Sequence, residues 1–178
     1  QNKSGDAGNT AVGFKAGIAV TSGNHNVIVG RTAGFTANTM SGSVLIGAEA
    51  GKLVTTSHDC IAIGRLAMGG ATTSNDANLS VFIGYQAGKS VTNGNNNTFI
   101  GYNAGTLANG HNNVALGYAA FDETANDSSE NVYIGVGAGG GNDGASVSDH
   151  NVGIGRDALG GAMNGANQNT CLGSSAGA

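Results

Sequence analysis

Residues 94–105 read Gly-Asn-Asn-Asn-Thr-Phe-Ile-Gly-Tyr-Asn-Ala-Gly. Numbering Asn97 as position 0, this is a polar turn, a short apolar alternation, a Gly at position 4 and an Ala at position 7. The same frame returns along the chain from Asn9, Asn26, Ser43, Cys60, Ser80, Asn97, Asn113, Asn131, Asn151 and Asn169, at intervals of 17, 17, 17, 20, 17, 16, 18, 20 and 18 residues. Position 4 is Gly in every repeat, from Gly13 to Gly173, and position 7 is Ala in every repeat, from Ala16 to Ala176. Self-similarity at such a period is the signature of a solenoid, in which each repeat buries its apolar face against its neighbours.

The columns suggest what one coil looks like. Position 1 is Val, Ile or Thr and position 3 is Val, Ile or Leu, the β-branched pattern of a short strand. A Gly follows where a Cβ would obstruct a bend. The Ala at position 7, with the small residues Val20, Ala37, Val54, Ala71, Val91, Ala108 and Ala162 at position 11, predicts two further inward columns. No 3.6-residue period persists, which excludes helices. The expected fold is all-β: a parallel β-solenoid (β-roll) of about ten coils of 16–20 residues, forming one domain over 1–178. Stacked at about 4.8 Å per coil, it makes a rod of roughly 48 Å.

With positions 1 and 3 read as inward, position 2 is expected to point outward. It carries Ala11, Ile28, Leu45, Ala62, Phe82, Phe99, Ala115, Tyr133, Gly153 and Cys171, none of them charged. An uncharged outer stripe implies a cover, and copies of the same chain under cyclic symmetry supply one. Ile28, Leu45, Phe82, Phe99 and Tyr133 are therefore the expected trimer interface. At position 5, Tyr85, Tyr102 and Tyr118 fall in successive repeats; they should stack along one edge and are the candidates for contact with a glycan.

Asn fills position 0 in most repeats and crowds the preceding turns. It suits left-handed turn backbone, and a stacked Asn column can hydrogen-bond along the rod. The longest spacers, 69–79, 121–130 and 140–150, hold Asp76, Asp122, Glu123, Asp127, Glu130, Asp143 and Asp149. They are expected to bulge as solvated loops, since the glycine-aspartate repeat of calcium-binding β-rolls is absent.

Stretches such as GNNNTFIGYNAG, GNHNVIVGRTAG and SVFIGYQAG resemble the short repeats of bacteriophage tail fibres. They are also similar to the head repeats of trimeric autotransporter adhesins, although those repeats are nearer fourteen residues long. The resemblance spans Asn9 to Gly177. It implies a parallel β-roll in each subunit, three subunits about one axis, neighbouring fibre segments as partners, and a place on a virion tail fibre or an extracellular cell surface. The implied role is structural and adhesive, without catalysis. Two alternatives are weaker. Ile100 to Gly105 fits the hexapeptide of left-handed β-helix acyltransferases, but Lys52, Lys89 and Thr106 stand where that pattern needs aliphatic residues. Ice-binding solenoids need a Thr array, and Thr is scattered here.

Other chemistry finds little support in the residues. His25, His58, His111 and His150 precede position 0 in repeats that are never adjacent, too far apart to share a metal. Cys60 and Cys171 lie six coils apart, beyond disulfide reach. Gly-rich segments lack the Gly-Lys-Ser/Thr of a phosphate loop. No cofactor is expected. A net charge of −4 with seven Lys and Arg argues against nucleic acid, and no apolar run is long enough to insert in a membrane as a helix. Neither Gln1–Gly8 nor Leu172–Ala178 reads as a cap. The expectation is an excerpt of a longer fibre chain, or copies that stack end to end.

Overall fold

The computed structural model describes residues 8–70, 77–122, 127–141, 147–161 and 165–178; Asp76, Glu123 and Asp143 lie outside them. Each repeat contributes one three-residue strand: β1 (Thr10–Val12), β2 (Val27–Val29), β3 (Val44–Ile46), β4 (Ile61–Ile63), β5 (Val81–Ile83), β6 (Thr98–Ile100), β7 (Val114–Leu116), β8 (Val132–Ile134), β9 (Val152–Ile154) and β10 (Thr170–Leu172). They form a single parallel sheet in sequence order, each residue paired with its equivalent one repeat on, as Phe82 is with Phe99 and Ile83 with Ile100. The chain is a β-solenoid, and no helix occurs among the described residues.

The rest of each coil is held by turns that repeat as faithfully as the strand. The N–H of position 7 donates to the carbonyl of position 4, as from Ala33 to Gly30 at 3.3 Å, closing a turn whose third residue takes positive φ: Thr32 at 54°, Leu66 at 61°, Gln86 at 57°. Such a residue is ordinarily Gly or Asn. Side chains are tolerated because the strained residue is fastened to the previous coil; Thr32 N–H donates to the Phe14 carbonyl at 2.8 Å. The next N–H in the chain, at position 8, donates to the position 7 carbonyl of the following coil, 2.9 Å from Gly34 to Ala50 and 2.9 Å from Gly105 to Ala120.

The structure reverses the expected facing of the strand. Position 2 points into the coil: Ile28, Leu45, Phe82 and Phe99 are fully buried in the isolated chain and Tyr133 is 1 % exposed. These five residues are core, not a surface on which copies meet. Their column carries no charge because it is the interior. Positions 1 and 3 face outward instead. The reason is width. Position 0 is also buried, as at Asn26, Asn97 and Asn131, and residues 0 and 2 of a strand share a face. Across from them stand the buried Ala of position 7 and the small residues of position 11, of which Ala37, Val54, Val91 and Ala108 are buried; Ala71 and Ala162 lie outside the described residues. The space between the strand and these small residues takes one large side chain per coil, not the two that positions 1 and 3 would deliver; Met40, also fully buried, lies beyond it in the turn before β3.

In the eight inner coils that large side chain comes from either of two places, while the end coils have only Ala11 with Gly17 and Cys171 with Gly177. Where position 2 is Ile28, Leu45, Phe82, Phe99 or Tyr133, position 8 of that coil is Gly34, Gly51, Gly88, Gly105 or Gly139. Where position 2 is Ala62, Ala115 or Gly153, position 8 is Met68, Phe121 or Leu159. The exclusion is steric. A Cβ on Gly51 would lie 2.7 Å from Leu45 Cδ1, and one on Gly139 would lie 2.5 Å from Tyr133 Cγ. The aromatic members form a continuous stack through the middle of the rod, with ring centroids 5.5 Å apart for Phe82–Phe99, 6.2 Å for Phe99–Phe121 and 5.0 Å for Phe121–Tyr133.

Position 0 forms the expected ladder. Asn131 N–H donates to Asn113 Oδ1 at 3.0 Å, and Asn151 N–H to Asn131 Oδ1 at 2.9 Å. Each amide nitrogen also bonds the turn below the strand, Asn131 Nδ2 to the Ser148 carbonyl at 2.9 Å. Ser43 and Ser80 accept the same backbone bond through their hydroxyls, 3.1 Å from Cys60 N–H and 3.1 Å from Asn97 N–H. Asn131→Ala would remove one donor from the Ser148 carbonyl and leave the buried Asn151 N–H without its acceptor. A buried unsatisfied group costs about 1–3 kcal/mol, so the variant should lose about 3 kcal/mol, read as a lowered midpoint in chemical denaturation.

Candidate interaction surface

With position 2 inside, the outer face of the sheet consists of positions 1 and 3 of every coil. Apart from Thr10, Thr98 and Thr170 these are all Val, Ile or Leu. Several are well exposed, including Val12 at 57 %, Ile61 at 37 % and Ile100 at 39 %. Parallel sheets are ordinarily covered on both faces. Here the coil interior covers one, and no element of this chain covers the other among the described residues. Ten strands at about 4.8 Å spacing make the uncovered strip roughly 43 Å long and about 10 Å wide, as large as the biggest apolar patch usual on a monomer.

One rim of this strip is the position 5 column, just beyond the Gly bend. Tyr85, Tyr102 and Tyr118 come together there as expected, with ring centroids 5.0 Å and 5.1 Å apart and interplanar angles of 20° and 5°. The Arg65 guanidinium lies 5.7 Å from the Tyr85 centroid, extending the stack by one coil. The rings therefore spend their facing surfaces on each other. What the column offers a ligand is a row of ring edges and hydroxyls, and an apolar sugar face would have no free ring to lie on between these tyrosines. Phe14 and Val136 continue the same rim, 67 % and 49 % exposed.

The other rim is the turn before the strand, and it contains a second ladder that sequence reasoning missed. At the position two before the repeat start, a side-chain acceptor takes the N–H of its counterpart in the preceding coil at Asn24–Ser41 and at every step from His58 to Asn167. His58 N–H donates to Asn78 Oδ1 at 2.7 Å, Asn78 N–H to Asn95 Oδ1 at 2.8 Å, and Asn95 N–H to His111 Nδ1 at 3.1 Å. His111 N–H donates to Ser129 Oγ at 2.9 Å, Ser129 N–H to Asp149 Oδ1 at 2.7 Å, and Asp149 N–H to Asn167 Oδ1 at 2.6 Å. The signal was available, since every residue in this column from Asn24 to Asn167 carries an acceptor. His111 and Asp149 thus serve the backbone. His150 instead pairs with Glu130, Nε2 to Oε2 at 2.8 Å, and His25 Nδ1 lies 3.0 Å from Asn24 Oδ1.

No group of three or more His, Cys, Asp or Glu side chains is arranged to hold a metal among the described residues. Both cysteines are free. Cys60 occupies a ladder position, its thiol donating to the Ala77 carbonyl at 2.7 Å. Burial pushes its pKa up to about 11, so the group is a neutral thiol at physiological pH and a poor nucleophile. Glu49 is held below the usual carboxylate range by Lys52 and then Arg31, which approach it at 3.0 Å and 2.6 Å. Comparison with protein-family models, with curated proteins and with solved structures finds no match. The sheet face and its two rims are accordingly the feature on which a functional reading has to rest.

Proposed function

We propose that this chain is a structural segment of an elongated fibre, built from parallel copies whose sheet faces turn inward, three about one axis. The observation that carries the reading is the uncovered aliphatic face repeated on every coil. A charge there would be harmless if the face were solvated, yet no strand places one outward. Each Val or Ile taken from water contributes on the order of 1 kcal/mol or more, and ten coils in several copies multiply the gain. The backbone and side-chain ladders suit a mechanical part, because every coil is fastened above and below. The repeat's resemblance to tail-fibre and adhesin-head sequences supports a setting on a virion or cell surface, with the rod holding or forming a region that meets a receptor such as a glycan.

The test is the oligomeric state. In light scattering the chain should have about three times its 17.3 kDa mass. Ile46→Asp with Ile100→Asp should give folded monomers that keep their β-type circular dichroism, because both side chains point outward and no coil loses its core. Phe82→Asp should instead unfold the middle of the rod. A wild-type chain that remained at the monomer mass at every concentration would overturn the proposal.

A further inference from the structure

We infer that the two rims of the sheet face meet each other between neighbouring copies at the same coil level, and so hold the copies parallel and in register. This rests on the assembly proposed above, and adds to it the partner contacts and the device that selects the register.

Any rotation about the rod axis brings the rim after the strand of one copy against the rim before the strand of the next, with height unchanged. A two-fold axis across the rod brings each rim against its own kind, inverted. At the level of β4, where each rim carries a charge with no ion pair in its own chain among the described residues, only the first arrangement brings opposite charges together. The rim after the strand carries Arg31, Arg65 and Arg156 at position 5, of which Arg31 pairs with Glu49 and Arg156 with Asp157 of the same chain; the rim before it carries Asp59, Glu130 and Asp149 and no Lys or Arg, with Glu130 paired to His150. The levels also agree. Asp59 and Arg65 flank the same strand, β4, and both are exposed. Neither is in an ion pair within its own chain among the described residues. At β9 the corresponding residues are Asp149, one place further from the strand than Asp59 is from β4, and Arg156, which already meets Asp157 of its own chain at 3.1 Å.

Between these levels the apolar residues match as well. Leu79, 62 % exposed on a turn with φ of 54°, flanks β5 opposite Tyr85. Nothing in its own coil explains a large aliphatic residue at that left-handed position, whereas an adjacent copy would set the Tyr85 edge against it. Tyr and Arg are the residues enriched at such contacts. Antiparallel copies overlapping fully would instead set Arg65 against Tyr118 and leave Asp59 without an opposite charge, so the β4 pair is lost in the wrong arrangement.

The experiment is a charge swap read by sedimentation. Arg65→Asp and Asp59→Arg, each alone, should raise the dissociation constant of the assembly at least about tenfold, and the double variant should recover to within about threefold of wild type. An independent measurement uses a short bis-maleimide on Leu79→Cys/Tyr85→Cys in a Cys60→Ser/Cys171→Ser background. The two sites lie at opposite ends of β5, so linkage within a chain is out of reach, and covalent oligomers should form. Leu79→Cys/Arg156→Cys, mismatched by four coils, should not react between those sites. An assembled wild type with unaffected single variants, no rescue in the double, or cross-links between like positions only would overturn the rim pairing while leaving the assembly standing. A monomeric wild type would overturn both.

Discussion

Moving the one large side chain of the seventh coil from position 8 to position 2, in the double variant Ala115→Phe/Phe121→Gly, is expected to leave the rod as stable as the wild type or up to about 1 kcal/mol more stable. Each half alone should be severely damaging. Phe121→Gly removes a ring packed between Phe99 and Tyr133, and truncating a buried Phe costs about 3–5 kcal/mol. Ala115→Phe places a second ring in an interior with space for one, an overpacking that the coil can relieve only by opening. Together they reproduce the Phe99/Gly105 pattern of the sixth coil and extend a stack whose Phe82–Phe99 step is already 5.5 Å. The gain beyond wild type comes from Phe121's φ of 54°, which Gly adopts without strain. Chemical denaturation of the four chains measures the coupling. Additive losses in the double variant would show that positions 2 and 8 do not share one space.

Gly101→Ala should be among the most destabilising single-methyl changes available in this protein, costing upward of about 4 kcal/mol. A Cβ on Gly47 would stand 2.6 Å from the Gly64 carbonyl oxygen, and one on Gly101 would stand closer still to that of Gly117. The obstacle is backbone, already held by a ladder bond from Gly117 N–H to the Ile100 carbonyl at 2.9 Å, so it cannot yield as a side chain would. The φ of 145° adds strain for any L-residue. The expected consequence is parting of β6 from β7, visible as lost hydrogen-exchange protection around residues 114–117 before the distant coils respond. Gly153→Ala is the control. Gly153 sits at position 2, where Ala62 and Ala115 are already found opposite a large position 8. Its new Cβ would meet the Ala158 carbonyl and the Tyr133 ring at 3.1 Å, so a change within about 1 kcal/mol is expected.

These two cases mark what could be read from the residues. The invariant Gly at position 4 and Ala at position 7, the Asn column and the stacking of Tyr85 on Tyr102 all follow from repetition. When one coil lies on the next, a residue type that recurs at one place must be compatible with its own copy about 4.8 Å away. Repetition therefore determined the one-coil repeat, the parallel register, the position 0 ladder and the edge where the tyrosines gather. The exclusion between positions 2 and 8 was equally present in the letters, as Phe99 with Gly105 against Ala115 with Phe121, but it has meaning only once both positions are known to open into one space.

The facing of the strand was decided by the tertiary structure alone. Val81-Phe82-Ile83 is apolar at all three places, so alternation has no polar residue to mark the outside, and a slip of one residue exchanges core for surface. Which parity points inward depends on how wide a coil the turns enclose. That width is set by the left-handed residues at positions 6 and 8 and by the buried amides at position 0, which draw the chain into a loop that accepts Phe82 and leaves Val81 and Ile83 outside.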